Sequence, residues 1–242
     1  MTTSDVWTLR LPRVQAVYRG EVHGEAPLVV VAGGRQPSLR WMASFFPKKE
    51  LWCADSGLVA CLKGGFEPHR LIGDGDSTPR AAWDRTVRRG AAVERFPADK
   101  DWTDLQLTLF AAGRDRPGQP IVVTGCWGGR FDHLFSLIFS ARWASEWGAT
   151  VRAFADHREI LLLLRGGERM DLRLGRKKGA VLSLLPLSEV CSDVRLSGTF
   201  WGLSGTDLFQ GRPYAVSNRP GENGTPSVAL GDGVLGVYLT WQ

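Results

Sequence analysis

The sequence lacks several patterns that are typical of particular classes of protein. Its four cysteines, Cys53, Cys61, Cys126 and Cys191, form no C-x-x-C pair, so neither a zinc site nor a disulfide framework is indicated. No run of about 18 uncharged apolar residues occurs, and the N-terminus lacks a charged-then-apolar signal pattern. We therefore expect a cytoplasmic protein without a membrane segment.

Signatures of common phosphate- and nucleic-acid-binding proteins are also missing. No G-x-x-x-x-G-K-[ST] loop is present, which argues against a Walker-type site. The formal charge of +5 is modest. Arg80, Arg85, Arg88 and Arg89 flank a predicted helix and permit contact with nucleic acid. Because no nucleic-acid motif accompanies them, a solvated helix face is favoured, and a weakly basic chain also suits an acidic polyphosphate.

The 242 residues divide by pattern into two domains after an N-terminal extension, residues 1–26. Over residues 27–157, apolar strand patterns alternate with helical ones, which predicts an α/β domain with a mainly parallel sheet. Over residues 158–242, short strands alternate with Gly, Pro, Asn and Asp turns, as in an antiparallel sandwich or barrel. The strands predicted there are Glu159 to Leu164, Ala180 to Leu185, Tyr214 to Ser217, Val228 to Leu230 and Val234 to Thr240.

The most informative stretch is Gly73-Asp74-Gly75-Asp76-Ser77, where an apolar strand pattern meets two carboxylates. In extended backbone, Asp74 and Asp76 point the same way, about 6 to 7 Å apart. Their repulsion costs about 2 to 3 kcal/mol at an effective dielectric near 20, and a divalent cation converts it into attraction. The pair therefore indicates a hard metal, most naturally Mg²⁺. An exposed acidic turn is the alternative.

Further acids follow at predicted loop positions. Asp55 follows a strand of the same design, and the carboxyl ends of parallel strands share one edge, where ligands bind. Asp101 and Asp104, three residues apart at a helix start, are predicted to lie on one face near the positive end of the helix dipole. An N-cap with an acidic first turn explains one or two of these acids. It leaves Lys100 and the nearby acidic loop unexplained, so a second set of metal or phosphate contacts is favoured.

Gly128-Gly129-Arg130-Phe131-Asp132-His133 follows another strand and opens an apolar helix. Glycines before a helix start expose backbone N–H groups to an anion, and Arg130 adds a planar donor fork for phosphate oxygens. Taken alone, a glycine-rich turn is a weak signal. Asp132 as a helix cap and His133 as a core residue remain alternatives.

Together these motifs resemble the thiamine pyrophosphokinase family. The family pattern is an Ala-Asp-Gly-Gly turn, Gly-Asp-x-Asp-Ser, Lys-Asp-x-Thr-Asp and Gly-Gly-Arg-x-Asp-His. The chain supplies them in that order from Ala54, Gly73, Lys100 and Gly128. Family members then carry Gly-x-x-Trp and Ser-Asn, which Gly198 to Trp201 and Ser217-Asn218 match. Ser56 replaces a usual glycine, and Thr199 and Phe200 replace a frequent leucine and lysine.

The resemblance implies transfer of the pyrophosphoryl group of ATP to the hydroxyethyl oxygen of thiamine, which releases AMP. It implies an α/β nucleotide-binding domain followed by a β-sandwich, in a homodimer with active sites between subunits. Asp74, Asp76 and Asp104 are then expected to hold Mg²⁺, with Asp55 and Asp101 close by. Lys100 and Arg130 neutralise phosphate charge, and Asp132 positions Arg130 or the acceptor hydroxyl. A carboxylate whose pKa is raised by its acidic neighbours is the alternative as a base, and which one is left open. Contacts to the ATP phosphates fall to Ser77, Gly128, Gly129 and His133.

In the second domain the resemblance assigns acceptor contacts to three residues. Trp201 is expected to stack on the cationic heterocycle, worth about 0.5 to 2 kcal/mol, although a core position is the ordinary alternative for a tryptophan. Ser217 and Asn218 are expected to hydrogen-bond the acceptor, and Ser-Asn-x-Pro also reads as a plain turn. Two rival functions remain: another Mg²⁺-dependent phosphoryl or nucleotidyl transferase, and a non-catalytic thiamine- or nucleotide-binding relative.

Overall fold

A computed structural model describes residues 6–20, 26–222 and 224–242. The chain forms two compact units. One ends at His157 and holds the described residues from 26 onward, and the other combines residues 6–20 with the chain from Arg158. The first is called the α/β unit below, and the second the β unit.

The α/β unit is built on a parallel sheet in the order β8-β7-β3-β4-β5-β6. Its strands are β3 Leu28–Val31, β4 Leu51–Ala54, β5 Arg70–Gly73, β6 Ala92–Arg95, β7 Pro120–Thr124 and β8 Thr150–Ala155. In β3, β4 and β7 every residue is buried, because strands covered on both faces need continuous apolar runs. The parallel register sets Val30 beside Trp52 and Val123, so all carboxyl ends lie at one edge.

Helices connect these strands. They are α1 Leu39–Phe45, α2 Gly57–Lys63, α3 Arg80–Arg88, α4 Asp104–Asp115 and α5 Phe131–Ala144, and a 3-10 turn, Ser145–Trp147, follows α5. At about 1.5 Å per residue, the 14 residues of α5 are too short for a bilayer core of about 30 Å. Among the described residues, no helix is long and apolar enough to cross a membrane.

The β unit consists of antiparallel strands. One sheet has the order β1-β2-β10-β14-β12-β13, and β15 lies between β11 and β9. The bounds are β1 Val6–Leu11, β2 Val14–Arg19, β9 Glu159–Arg165, β10 Arg169–Leu174, β11 Ala180–Pro186, β12 Val190–Ser197, β13 Leu203–Phe209, β14 Ser227–Ala229 and β15 Val234–Trp241. Alternating burial along β10 and β12 indicates sheets with one face toward a core. The predicted α/β fold followed by an antiparallel β-sandwich is confirmed.

Two details differ from the sequence prediction. Residues 6–20, within the predicted N-terminal extension, supply β1 and β2, and β2 pairs with β10 along six residues. The predicted strand from Tyr214 to Ser217 is wrong, since no strand forms there. Ala215 and Ser217 have φ values of 64° and 61°, and left-handed backbone cannot continue a sheet ladder. An isolated bridge, Leu182 with Asn218, follows this segment.

Candidate active site

Three aspartates meet at the carboxyl edge of the parallel sheet. Asp55 follows β4, Asp74 follows β5 and Asp104 opens α4. Each offers a carboxylate oxygen, and these oxygens lie within 4.8 Å of one another. We call Asp55, Asp74 and Asp104 the three-aspartate group. The predicted convergence of separate acidic loops is therefore observed for these three side chains.

The local backbone makes this approach possible. Asp55 has a left-handed φ of 39°, which turns the chain sharply between β4 and α2. Gly73 has φ 141°, and a Cβ there would lie 3.1 Å from both Asp104 Oδ1 and Asp55 Cβ. Any larger residue at position 73 would push the two carboxylates apart. The glycine before Asp74 is thus needed for the geometry of the group.

Lys100 lies against two members of the group. Its Nζ is 2.6 Å from Asp74 Oδ2 and 3.1 Å from Asp104 Oδ1. Burial works against the charged form, but the hydrogen bonds to Asp74 and Asp104 outweigh it and raise the pKa of Lys100. The ammonium therefore stays protonated and offsets part of the acidic charge.

The three carboxyls differ in their protonation tendency. Burial is the main cause that raises the pKa of Asp55, and the negative charge of Asp104 adds to it. The hydrogen bond from Ser77 acts in the opposite direction. Burial also raises the pKa of Asp104, although Lys100 opposes the shift. The hydrogen bond from Lys100 is the main cause that lowers the pKa of Asp74. Two of the three carboxylates are thus held in surroundings that disfavour their charge.

The donor chemistry of the group fits a hard cation. Asp55 Oδ1 is buried and has no hydrogen-bond partner among the described residues, whereas Asp104 Oδ1, also buried, has the Lys100 ammonium 3.1 Å away as an ion-pair partner. Buried acceptors without a partner cost about 1 to 3 kcal/mol each. Mg²⁺ prefers carboxylate oxygens and usually keeps part of its ligand shell for water and phosphate. A divalent cation here would satisfy both oxygens and relieve the repulsion.

Asp76 and Asp101 lie outside the three-aspartate group. The extended backbone expected between Asp74 and Asp76 does not form, because β5 ends at Gly73 and Gly75 has a φ of 79°. Instead, the Asp76 backbone N–H donates to Asp74 Oδ1 at 3.0 Å, and its own side chain is exposed. Asp101 is also exposed and precedes α4, so it does not share a helix face with Asp104.

The cap of α4 also differs from the aspartate cap considered from the sequence. Thr103 is the N-cap, and its hydroxyl accepts from the Gln106 backbone N–H at 3.2 Å. The Gln106 side chain accepts from the Thr103 N–H at 2.9 Å, which completes a capping box. Because Thr103 caps the helix, the Asp104 carboxylate remains free for the three-aspartate group.

A pocket of about 440 Å³ opens beside the group, which is within the usual size range of small-molecule sites. Predicted residues that line it are Asp55, Ser77, Asp104, Gly128, Gly129, Arg130 and His133. Ser56, at the position of a usual family glycine, also lines it. A Cβ on Gly33 would come 1.9 Å from Ser56 Oγ, so Gly33 supplies the space that the serine needs.

Arg130 and Asp132 form an exposed pair at the start of α5. Arg130 Nε donates to Asp132 Oδ1 at 3.1 Å and Nη2 donates to Oδ2 at 2.5 Å. The Arg130 hydrogen bond is the main cause that lowers the pKa of Asp132. Asp132 Oδ1 also accepts from the His133 backbone N–H at 3.0 Å. Asp132 thus orients Arg130 and is poorly suited to take up a proton.

The β unit holds the remaining predicted residues. Trp201 is 58% exposed, so the core alternative is wrong for this tryptophan. Its backbone is fixed by Asn218, whose Nδ2 donates to Trp201 O at 2.7 Å and whose Oδ1 accepts from Trp201 N at 3.2 Å. Asn218 is buried and its Oδ1 also accepts from Arg219 N at 2.8 Å. Ser217 is exposed, and its N–H donates to Ser183 Oγ.

Sequence reasoning missed part of the pocket wall. Gly33 and Gly34 after β3 line it, as do Ser136 and Ser140 on α5. The available signals were a buried strand that ends in two glycines, and serines four residues apart that continue the face begun by His133. Both patterns are common outside binding sites, which is why neither indicated a function alone.

Comparisons with known proteins find thiamine pyrophosphokinases. The family described as thiamin pyrophosphokinase, catalytic domain, matches residues 45–153. A thiamine pyrophosphokinase from Bacillus subtilis is 28% identical over 191 residues, which are 78% of this chain and 87% of that protein. Thiamine pyrophosphokinase 1 from Arabidopsis thaliana is 26% identical over 72% of this chain and 63% of its own length.

Solved structures share the fold. The crystal structure of the Bacillus subtilis thiamine pyrophosphokinase has a TM-score of 0.75 at 22% identity and covers 89% of this chain and 99% of its own. The Candida albicans thiamin pyrophosphokinase has a TM-score of 0.72 at 15% identity, with 89% of each chain covered. The recognition from the sequence motifs is thereby confirmed: the chain is similar to thiamine pyrophosphokinases in sequence and shares their fold.

Proposed function

We propose that this protein is a thiamine pyrophosphokinase that transfers the pyrophosphoryl group of ATP to the hydroxyethyl oxygen of thiamine. The oxygen attacks the β-phosphorus, the bond from that phosphorus to the α–β bridging oxygen breaks, and AMP leaves. The observation that carries the proposal is the three-aspartate group, with carboxylate oxygens within 4.8 Å and Lys100 beside them, at the rim of a pocket lined by glycine-rich loops.

The three-aspartate group is proposed to hold Mg²⁺. The buried oxygens Asp55 Oδ1 and Asp104 Oδ1 are the natural ligands, and Asp74 supplies the third carboxylate. Bound Mg²⁺ would neutralise phosphate charge and act as a Lewis acid toward phosphoryl oxygens. The exposed Asp76 and Asp101 are proposed to contribute from outside this group.

The two cations of the site are proposed to divide the phosphate charge between them. Lys100 lies between Asp74 and Asp104 and is the counter-ion of these two carboxylates. When a metal ion neutralises the carboxylates instead, the ammonium can turn to a phosphate oxygen. Arg130 lines the pocket, and its planar fork suits two phosphate oxygens. Such positioning and charge neutralisation supply most of the rate in phosphoryl transfer.

The remaining pocket residues are proposed to bind the nucleotide. Gly128 and Gly129 have φ values of 74° and 78°, which turns the chain ahead of α5, so their N–H groups suit phosphate oxygens. Ser77 and His133 lie on the same wall and add polar contacts. Asp132 is proposed as the residue that positions Arg130, because it holds that guanidinium in a two-point contact.

The acceptor contacts are proposed to come from the β unit. The exposed Trp201 offers a flat ring to a cationic heterocycle, and Ser217 offers an exposed hydroxyl. Asn218 already uses its amide on the backbone of Trp201 and Arg219, so its proposed role is to position the tryptophan. We also propose a homodimer as the working form, and the cytoplasmic location stays a prediction.

A steady-state assay of AMP release tests the function. We expect AMP only when ATP, thiamine and a divalent cation are all present, and thiamine diphosphate formed in equal amount. AMP or phosphate release without thiamine would favour another Mg²⁺-dependent transferase. Tight binding of thiamine or ATP without turnover would indicate the non-catalytic relative.

A further inference from the structure

A second cavity lies at the edge of the parallel sheet opposite to the three-aspartate group. It is formed by the turn before β4 and the loop before β5, whereas Asp55 and Asp74 follow the other ends of the same two strands. Its volume is about 580 Å³, which is within the range of small-molecule sites. We call it the amino-edge pocket, and it is lined by residues 46–51, Phe66, Glu67 and His69. None of these residues lines the pocket beside the three-aspartate group.

The two acids of the amino-edge pocket already have partners. Arg116 donates to both carboxylate oxygens of Glu50, from Nη2 at 3.1 Å and from Nε at 3.3 Å. Trp52 Nε1 donates to the same carboxylate at 2.9 Å. Glu67 forms an ion pair with Arg89. Both carboxylates are thus neutralised by arginines and add little net charge to the pocket.

The two lysines of the pocket lack such a counter-ion. Within the described ranges, no carboxylate lies at ion-pair distance from Lys48 or Lys49. Lys49 Nζ instead lies over the Phe45 ring, 4.6 Å from its centroid. Lys49 is partly buried, and the loss of hydration lowers its pKa, because burial disfavours the charged form. A bound anion would compensate this loss and balance the charge of the two ammonium groups.

His69 adds a hydrogen-bond donor with a fixed orientation. Its Nδ1 accepts from the Leu51 backbone N–H at 3.0 Å, and its own backbone N–H donates to Leu51 O at 2.8 Å. Because Nδ1 accepts this bond, the neutral imidazole carries its hydrogen on Nε2. Nε2 is therefore a donor on an exposed side chain at the pocket wall. Together with the two ammonium groups, it can bind the oxygens of one phosphate.

The amino-edge pocket also has an apolar side. Phe66 is partly exposed and packs edge-on against the buried Phe46, with ring centroids 5.1 Å apart and planes at 67°. A Cβ on Gly64 would come 3.0 Å from Phe66 Cδ2, so the glycine lets the ring lie close to the end of α2. A ring held in this way offers a flat surface to an aromatic ring of a ligand.

We propose that the amino-edge pocket binds a small aromatic phosphate monoester, with its ring on Phe66 and its phosphate between Lys48, Lys49 and His69. A phosphate monoester carries about 1.5 to 2 negative charges at pH 7, which matches the two ammonium groups. A carboxylate would balance only one of them, and an uncharged ring would balance neither. This site and the kinase site use different residues, so neither function depends on the other.

The first measurement is isothermal titration calorimetry of the full chain with 1-naphthyl phosphate. A chelator is present, so that no metal ion bridges the probe to the three-aspartate group. We expect one bound molecule per chain with a Kd on the order of 10 to 100 µM. Inorganic phosphate and 1-naphthol should each bind at least about 10-fold more weakly, because each satisfies only one side of the pocket.

Two lysine variants test the phosphate contacts. Lys49→Met keeps the apolar stem and removes the charge, so the Kd for 1-naphthyl phosphate should rise about 10-fold or more. Lys48→Asn should raise it about 3- to 10-fold, and asparagine tolerates the φ of 63° at this position. Lys63→Met, at an exposed lysine of α2 outside the pocket, is the matched control and should stay within about twofold of wild type. Circular dichroism checks that all three variants fold.

A ring variant tests the aromatic contact. Phe66→Leu keeps the position apolar but removes the flat ring, so the Kd for 1-naphthyl phosphate should rise about 3- to 10-fold. The Kd for inorganic phosphate should change less than about twofold, because the lysines and His69 are still present. Equal effects on both probes, or equal affinity of wild type for both, would overturn the aromatic ligand class.

Arg130→Gln separates the amino-edge pocket from the kinase site. Because Arg130 lines only the other pocket, the Kd for 1-naphthyl phosphate should stay within about twofold of wild type. Binding that is lost in Arg130→Gln and kept in Lys49→Met would place the probe in the kinase site and overturn the proposed one. Absence of binding to wild type at about 1 mM probe would overturn it as well. None of these results depends on turnover, so each leaves the assay of AMP release as a separate test of the kinase function.

Discussion

The three-aspartate group in the α/β unit and the Trp201 segment in the β unit are organised in opposite ways. In the first, Asp55 Oδ1 is buried and without a hydrogen-bond partner among the described residues, Asp104 Oδ1 is buried beside the Lys100 ammonium, and burial raises the pKa of both carboxyls. In the second, Asn218 satisfies the backbone of Trp201 with two hydrogen bonds, and the ring itself is exposed. One region holds unsatisfied charge, and the other holds a well-supported apolar surface.

This difference indicates how each region meets its ligand. A buried carboxylate group gains most from a cation, because the interaction removes both repulsion and missing hydrogen bonds. An exposed ring that is already rigid gains only stacking and burial, since little ordering remains to be done. We therefore expect changes in the three-aspartate group to affect the rate, and changes around Trp201 to affect affinity for the acceptor.

The largest expected effect is the loss of rate on Asp104→Asn. The amide keeps the shape of the side chain but removes the charge that binds a divalent cation, so we expect kcat for AMP release to fall by about 1,000-fold or more. The measurement is steady-state AMP release at saturating ATP, thiamine and Mg²⁺.

Asp101→Asn is the matched variant, three residues earlier and outside the group. Its exposed side chain should leave kcat within about tenfold of wild type. Equal losses in the two variants would mean that the three-aspartate group has no special part in the reaction, and that the acidic segment acts only through its overall charge.

The next effect concerns the acceptor. Trp201→Ala removes the stacking surface, worth about 0.5 to 2 kcal/mol, so the KM for thiamine should rise by up to about 30-fold while the KM for ATP changes less than about threefold. Phe200→Ala, a neighbouring ring of the same 58% exposure, serves as the control. A proportional rise of both KM values in Trp201→Ala would contradict the separation of the two regions.

Sequence reasoning predicted the parallel sheet and the converging acidic loops because strand patterns and loop positions follow from local residue types. The sequence also predicted that Asp76 and Asp101 join the metal-binding acids, because spacing along the chain does not show where the backbone turns. The positive φ values at Gly73 and Gly75 turn the backbone after β5 and leave Asp76 exposed, and Thr103, instead of an acid, caps α4. Similarly, the sequence predicts that Asn218 contacts the acceptor, but its amide bonds the backbone of Trp201, 17 residues away, where sequence spacing carries no contact information.

A smaller effect, on thermal stability, should distinguish Asn218, which is proposed to position Trp201, from Ser217, which is proposed to contact the acceptor. Asn218→Ala leaves backbone groups of Trp201 and Arg219 without partners, and each lost bond of this kind costs about 1 to 3 kcal/mol. We expect Tm to fall by about 3 to 8 °C, together with a rise in the KM for thiamine. Ser217→Ala, at an exposed side chain, should leave Tm unchanged in differential scanning fluorimetry. An unchanged Tm in Asn218→Ala would show that its hydrogen bonds do not support the segment.

The smallest expected effect is a rise in Tm instead of a loss, and it concerns the metal-free protein. Because burial raises the pKa of Asp55 above its unfolded value, its contribution to stability is present at low pH and is lost as the pH rises through the raised pKa. In a chelator at pH 7.5, Asp55→Asn should therefore melt about 2 to 4 °C higher than wild type, and this difference should shrink as the pH falls and wild-type Asp55 takes up its proton. Added Mg²⁺ should raise the Tm of wild type more than that of the variant. A variant that melts lower than wild type in the chelator would mean that the Asp55 carboxylate stabilises the fold. The repulsion and the cost of buried charge that we assign to the three-aspartate group would then be contradicted.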